Sequence, residues 1–134
     1  MKKTNIYQNQ SQELLHLFEE AGSSKKVMCV AMDYAKNDHL VMFLNGLGDI
    51  VRKPFSVKNM PEGIAYIDDH VTRFCRRRGI QKQHVFFGGE DANSFAKNFV
   101  STLRCKGFVV ANVNAHDAKK QRVNLQAKIG RAHV

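Results

Sequence analysis

The 134 residues carry 21 Lys and Arg against 12 Asp and Glu, a formal charge of +9, and 43% of them are apolar. That apolar share supports one packed domain and excludes a disordered chain, and the length leaves no room for a second core. The charge excess favours an anionic partner, nucleic acid ahead of a membrane surface. No stretch approaches the length that crosses a bilayer, and the N-terminus lacks the basic-then-apolar layout of a secretory signal, so a cytoplasmic protein with no membrane partner is expected.

In chain order, Ser11 to Ala21 sets Leu14, Leu15, Leu17 and Phe18 at helical spacing before Gly22, which predicts a short amphipathic helix within an N-terminal extension over 1–25. The apolar run Val27 to Met32 then reads as a strand that ends in Asp33. Alternation puts Val27, Cys29, Ala31 and Asp33 on one face and Met28, Val30 and Met32 on the other. Both faces are apolar, so the strand is expected to be covered on both sides. A carboxylate there must be paired, hydrogen-bonded or bound to a cation. For a single strand-end Asp, a turn or helix cap is the plain alternative.

His39 to Leu44 and Ile50 to Val57, joined by Asn45-Gly46-Leu47-Gly48-Asp49, form a hairpin signature, and Pro54 puts the second of these strands at the rim of a sheet. Asn59 is a candidate cap for a helix with Pro61 in its first turn and Ile64, Ile67, Val71 and Phe74 on its inner face, ending at Gly79. A fourth strand, His84 to Phe87, runs into Gly88-Gly89-Glu90 and so repeats the pattern of strand followed by acid. A second helix is predicted from about Ala92 to Lys106, with Phe95, Phe99 and Leu103 on one face, before a last strand from Phe108 to Val113.

The basic residues gather in Arg73, Arg76-Arg77-Arg78 and Lys82, and again in Lys119, Lys120 and Arg122. Cations at a helix C-terminus explain the first group as well as a phosphate partner does. Cys29, Cys75 and Cys105 lack any C-x-x-C spacing and read as reduced core residues. His39, His70, His84 and His116 show no zinc-ligand spacing, Gly46-Leu47-Gly48 lies in a hairpin rather than a dinucleotide loop, and Phe86 and Phe87 read as core rather than a base-stacking platform.

The order β-β-β-α-β-α-β, with an acid leaving strands one and four, resembles the ribonuclease-H-like fold. This implies an α/β, five-stranded mixed sheet in order 3-2-1-4-5 with flanking helices and the N-terminal helical extension. Asp33 and Glu90 are neighbours in that arrangement, and the resemblance makes them catalytic and ligands to Mg²⁺ or Mn²⁺.

More narrowly, Val30-Ala31-Met32-Asp33-Tyr34-Ala35-Lys36, Phe55 to Gly63, Phe86-Phe87-Gly88-Gly89-Glu90 and Gly107 to Asn114 resemble segments of the DEDD insertion-sequence transposases related to Piv-type DNA invertases. These are the bridge-RNA-guided recombinases, which have a Holliday-junction-resolvase-like (RuvC-like) N-terminal domain. The likeness covers Lys26 to Ala127. It implies metal-dependent DNA strand cleavage and exchange, with DNA and a guide RNA as partners and a homo-oligomer at full length. The nucleic-acid contacts are then expected from Lys36, Arg76, Arg77, Arg78, Lys119, Lys120 and Arg122.

This chain departs from the family where Asp91-Ala92-Asn93 replaces the usual Thr-Gly, leaving Asp91 as a rival to Glu90, and where Ala115 replaces a proline. The family's later Asp-x-x-Asp pair has no counterpart, and Ile129 to Val134 reads as a translated sequencing adapter, with Lys128 at its junction. The expected organisation is an incomplete catalytic domain over 26–127 and an artefact over 128–134, inactive by itself. The competing classes are a non-catalytic basic nucleic-acid-binding module and half of an actin-like ATPase fold. Against the latter, Asp33 precedes Tyr34-Ala35-Lys36-Asn37 rather than a glycine-bearing phosphate loop.

Overall fold

The computed structural model describes residues 11–90 and 93–112. Five strands form one sheet: β1 (Met28–Asp33), β2 (Asp38–Asn45), β3 (Ile50–Lys58), β4 (Val85–Glu90) and β5 (Val109–Asn112). Their order is β3-β2-β1-β4-β5. The first three strands meander antiparallel, and β4 and β5 join parallel to β1 and to each other. The expected mixed α/β sheet in order 3-2-1-4-5 is therefore present. Pro54 does lie on an edge strand, where its missing N–H costs no ladder bond.

Helix α2 (Pro61–Arg78) and helix α3 (Lys97–Cys105) connect β3 to β4 and β4 to β5. Ile64, Ile67, Val71 and Phe74 of α2 and Phe99, Val100 and Leu103 of α3 pack on the sheet face made by Met28, Val30, Met32, Val41, Phe43, Val85 and Phe87. Phe43 and Phe87 are wholly buried there. Helix α1 (Ser11–Ala21) covers the opposite face, where Leu14 and Leu17 meet Val27, Phe86 and Ala111. An 11-residue helix is only about 16 Å long, so it reaches the first half of β1 and stops.

That limit corrects the expectation of a strand covered along both faces. Cys29 and Ala31 are half-buried and Asp33 is exposed, so solvent rather than a buried partner satisfies much of its carboxylate. Other local expectations change as well. The residue capping α2 is Met60, without a side-chain bond, while Asn59 points elsewhere. Helix α3 begins at Lys97, not near Ala92, because Ser94 sits at φ 59, a left-handed conformation that a helix does not contain. Phe95 consequently lies before the helix and is 46% exposed. Cys105 is exposed rather than core, whereas Cys75 is buried.

Several of the basic residues are occupied. Asp68 of α2 receives Lys82 Nζ at 2.5 Å and Lys106 Nζ at 3.4 Å, which ties α2 to the segments before β4 and after α3. Partial burial opposes ionisation of Asp68, but the two ammonium groups outweigh it and hold the carboxyl below its usual value of 3.8. A carboxyl with a lowered folded value contributes stability above the unfolded value and loses it as pH falls through the folded one. Asp68→Asn should therefore lower stability near neutral pH by about 0.5–1 kcal/mol, since the pair is partly exposed. The difference from wild type should shrink as pH falls below the usual carboxylate value and through the lowered folded one. Thermal midpoints of both proteins from pH 7 down to pH 2 measure it, and a gap that persists undiminished at pH 2 would rule out the ion-pair account.

Candidate metal centre

The parallel register of β1 and β4 pairs Met28 with Val85 and continues one for one to Asp33 with Glu90. Paired residues on adjacent strands share a face and stand about 4.8 Å apart, so the two carboxylates leave the same end of the sheet side by side. They belong to the face that α1 covers only in part. Below them on that face stand Ala31 and Gly88, where small side chains leave the surface shallow.

Gly89, on the opposite face, leaves room for the residue that follows Asp33 to cross β4. A Cβ there would lie 2.3 Å from the Met32 carbonyl oxygen and 3.0 Å from the Tyr34 ring. Glycine alone lets Tyr34 fold over β4 directly after Asp33. The Tyr34 ring in turn meets His39 edge-on at 5.3 Å, and His39 meets Phe99 at 4.6 Å. His39 is wholly buried, and its Nδ1 accepts the Ala35 N–H at 3.0 Å. This fixes the turn that follows Asp33 and leaves His39 serving structure rather than ligation.

Asn59 joins the loops that follow the two acids. Its Nδ2 donates to the carbonyl of Lys36, three residues after Asp33, at 3.0 Å. It also donates to the carbonyl of Phe95, five residues after Glu90, at 2.9 Å. Its backbone N–H bonds the Asn37 carbonyl at 2.8 Å. Both acceptors are carbonyls, so the amide orientation is set by chemistry. Sequence reading assigned Asn59 to a helix cap and missed this role, since nothing in the local pattern brings segments 36, 59 and 95 together.

Two carboxylates in water-accessible positions are hard oxygen donors, the kind Mg²⁺ and Mn²⁺ take. Mg²⁺ in particular is held by one or two carboxylates, with waters and phosphate oxygens completing its shell. The donor set fits such an ion. Among the described residues no group of three or more His, Cys, Asp and Glu side chains converges on one point, so the pair has no third ligand of those types there. Cys29, on the same face two alternations below Asp33, is no ligand candidate, because four residues of strand, about 13 Å, separate the two.

The basic residues lie elsewhere. Lys36 is in the β1–β2 turn on the acid side and is exposed. Arg76, Arg77 and Arg78 are in the last turn of α2, which starts beside Asn59 at the acid end and runs 18 residues, about 27 Å, to the other end of the sheet. The structure thus brings Asp33, Glu90 and Lys36 to one end and keeps Arg76 to Arg78 at the other. Lys119, Lys120, Arg122, His116 and Asp91 lie outside the described residues. No helix among the described residues is long and apolar enough to cross a membrane. No protein-family model matches the chain, and no curated protein matches it.

Proposed function

We propose that the chain carries the acid-pair half of a metal-dependent phosphodiester-transfer site, of the DNA-recombinase kind its sequence resembles. The observation behind this reading is the register pairing of Asp33 with Glu90 at an open sheet end. Adjacent like charges repel, and a divalent cation between them removes that cost while presenting open positions to phosphate oxygens. When bound, the ion supplies activation of an attacking oxygen and charge stabilisation at the leaving one. Asp33 and Glu90 would hold it, Gly89 leaves room for Tyr34 beside them, and Asn59 fixes the two loops. The reading supplies DNA as the substrate, with Lys36 as a phosphate contact beside the acids.

The test is metal binding by the purified chain. Mn²⁺ should broaden NMR signals of residues around Asp33 and Glu90 selectively. Asp33→Asn and Glu90→Gln should each remove that effect, since the amide keeps size but loses charge, with little change in thermal midpoint in metal-free buffer. Equal Mn²⁺ broadening in wild type and in Asp33→Asn would leave Asp33 as a turn residue and the site unsupported.

A further inference from the structure

The end of the sheet away from the acids gathers cations from two separate segments. Lys25 and Lys26 form a 3-10 turn (Ser24–Lys26) just before β1, and Arg76, Arg77 and Arg78 end α2. Lys26 Nζ donates to the Gly79 carbonyl at 3.3 Å, which seats the two segments against each other. All five cations are exposed. Of the carboxylates nearby, Glu20 bonds His84 at 3.2 Å, Asp49 bonds the Asn45 amide at 3.4 Å, Asp68 pairs with Lys82 and Lys106, and Asp69 pairs with Arg73, while Glu19 in the last turn of α1 is exposed. None of the five has an ion-pair partner among the described residues. A helix C-terminus carries about half a negative charge, far too little to balance them.

We propose that Lys25, Lys26, Arg76, Arg77 and Arg78 form one surface that binds the phosphate backbone of a nucleic-acid duplex, at the end of the sheet opposite Asp33 and Glu90. This surface is separate from the acid pair and does not depend on it. Three consecutive arginines fan around the helix end at about 100° steps and offer planar forks suited to phosphate. The Arg78 guanidinium lies 5.0 Å from the Phe74 ring, which holds it in place before any partner arrives.

The surface suits a duplex backbone better than unpaired bases, because the exposed aromatics among the described residues are Tyr66 and Phe95, near the start of α2 and the loop bound by Asn59. It suits nucleic acid better than a lipid surface, since exposed large apolar side chains on the neighbouring segments are limited to Leu47 of the β2–β3 turn and Leu15 of α1. An interfacial anchor needs several.

Binding of the full chain to a 20-base-pair DNA duplex, followed by fluorescence anisotropy in EDTA across a salt series, tests the proposal. Chelation keeps the acid pair out of the measurement, so the outcome stands whether or not Asp33 and Glu90 bind metal. Each lost phosphate contact should flatten the plot of log K against log salt by about 0.9, so Arg76→Gln/Arg77→Gln/Arg78→Gln should flatten it by about 2.7 and Lys25→Gln/Lys26→Gln by about 1.8. Binding by the triple variant should weaken at least tenfold at moderate salt. Should the triple variant fail the circular dichroism check for folding, the lysine pair, on a different segment, carries the test. Lys53→Gln/Lys97→Gln removes equal charge elsewhere and should bind nearly as wild type does. The proposal falls if both basic sets bind as wild type, if the Lys53/Lys97 control weakens binding as much, or if the chain binds phosphatidylserine vesicles and no duplex.

Discussion

Gly63→Ala should unfold the protein or cost it more than about 3 kcal/mol, beyond the usual range for overpacking. An added Cβ at Gly63 would stand 1.9 Å from the Lys58 carbonyl oxygen, inside any permissible contact. Neither side can withdraw cheaply. Lys58 is the last residue of β3 and is paired with Asp38, while the Gly63 N–H bonds the Met60 carbonyl at 2.8 Å in the first turn of α2. The damage should extend to the acid end, since the same turn follows Asn59. Gly88→Ala is the matched control: its Cβ would meet nothing closer than the Cys29 sulfur at 3.9 Å, so its cost should stay within about 0.5 kcal/mol. Urea unfolding of the three proteins decides it, and a Gly63→Ala protein as stable as Gly88→Ala would show that α2 does not approach β3 as described.

Phe87→Ala should cost about 3–5 kcal/mol, in the range for removing a fully enclosed phenyl ring. Phe87 is wholly buried on the face that α2 and α3 cover, and its ring meets Phe108 edge-on at 5.0 Å. Its neighbours belong to the sheet and to both helices, so the void has no single wall free to collapse. Phe95→Ala should change stability by no more than about 0.5 kcal/mol, because that ring faces water. Chemical denaturation of both variants measures the contrast. A large loss on Phe95→Ala would restore the helix face on which periodicity had placed it.

The hairpin at Asn45–Asp49 and the proline that confines β3 to an edge made the β2–β3 side of the sheet legible, whereas the placing of β4 beside β1 and of β5 outside it came from the resemblance of the element order to a known fold. The side-by-side placing of Asp33 and Glu90 followed from that same resemblance, and the parallel register of β1 and β4 pairs them. Solvent access at Asp33 was not legible. Alternation reports which face a residue occupies but not how far α1 extends over that face, and an 11-residue helix runs out before Asp33. Phe95 was misplaced because a three-to-four spacing extends backward through any residue, and the left-handed Ser94 that breaks it carries no side-chain signal. Lys25 and Lys26 lay outside the basic clusters read from the sequence, since the approach of Lys26 to the end of α2 is a tertiary contact made 53 residues away in sequence.

The Asn59 carboxamide has a consequence for how the acid end can move. β1 and β4 are already laced together by their ladder, and beyond it the chain leaving each strand is fastened again to the same nitrogen. Strand, loop, amide, loop and strand therefore close into a hoop, with Asp33 and Glu90 both set in its rim. In such a hoop a displacement of one strand end would be passed through the Asn59 amide to the loop of the other. The two strand ends are thereby tied to each other twice, once by their own ladder and once through a residue that belongs to neither strand.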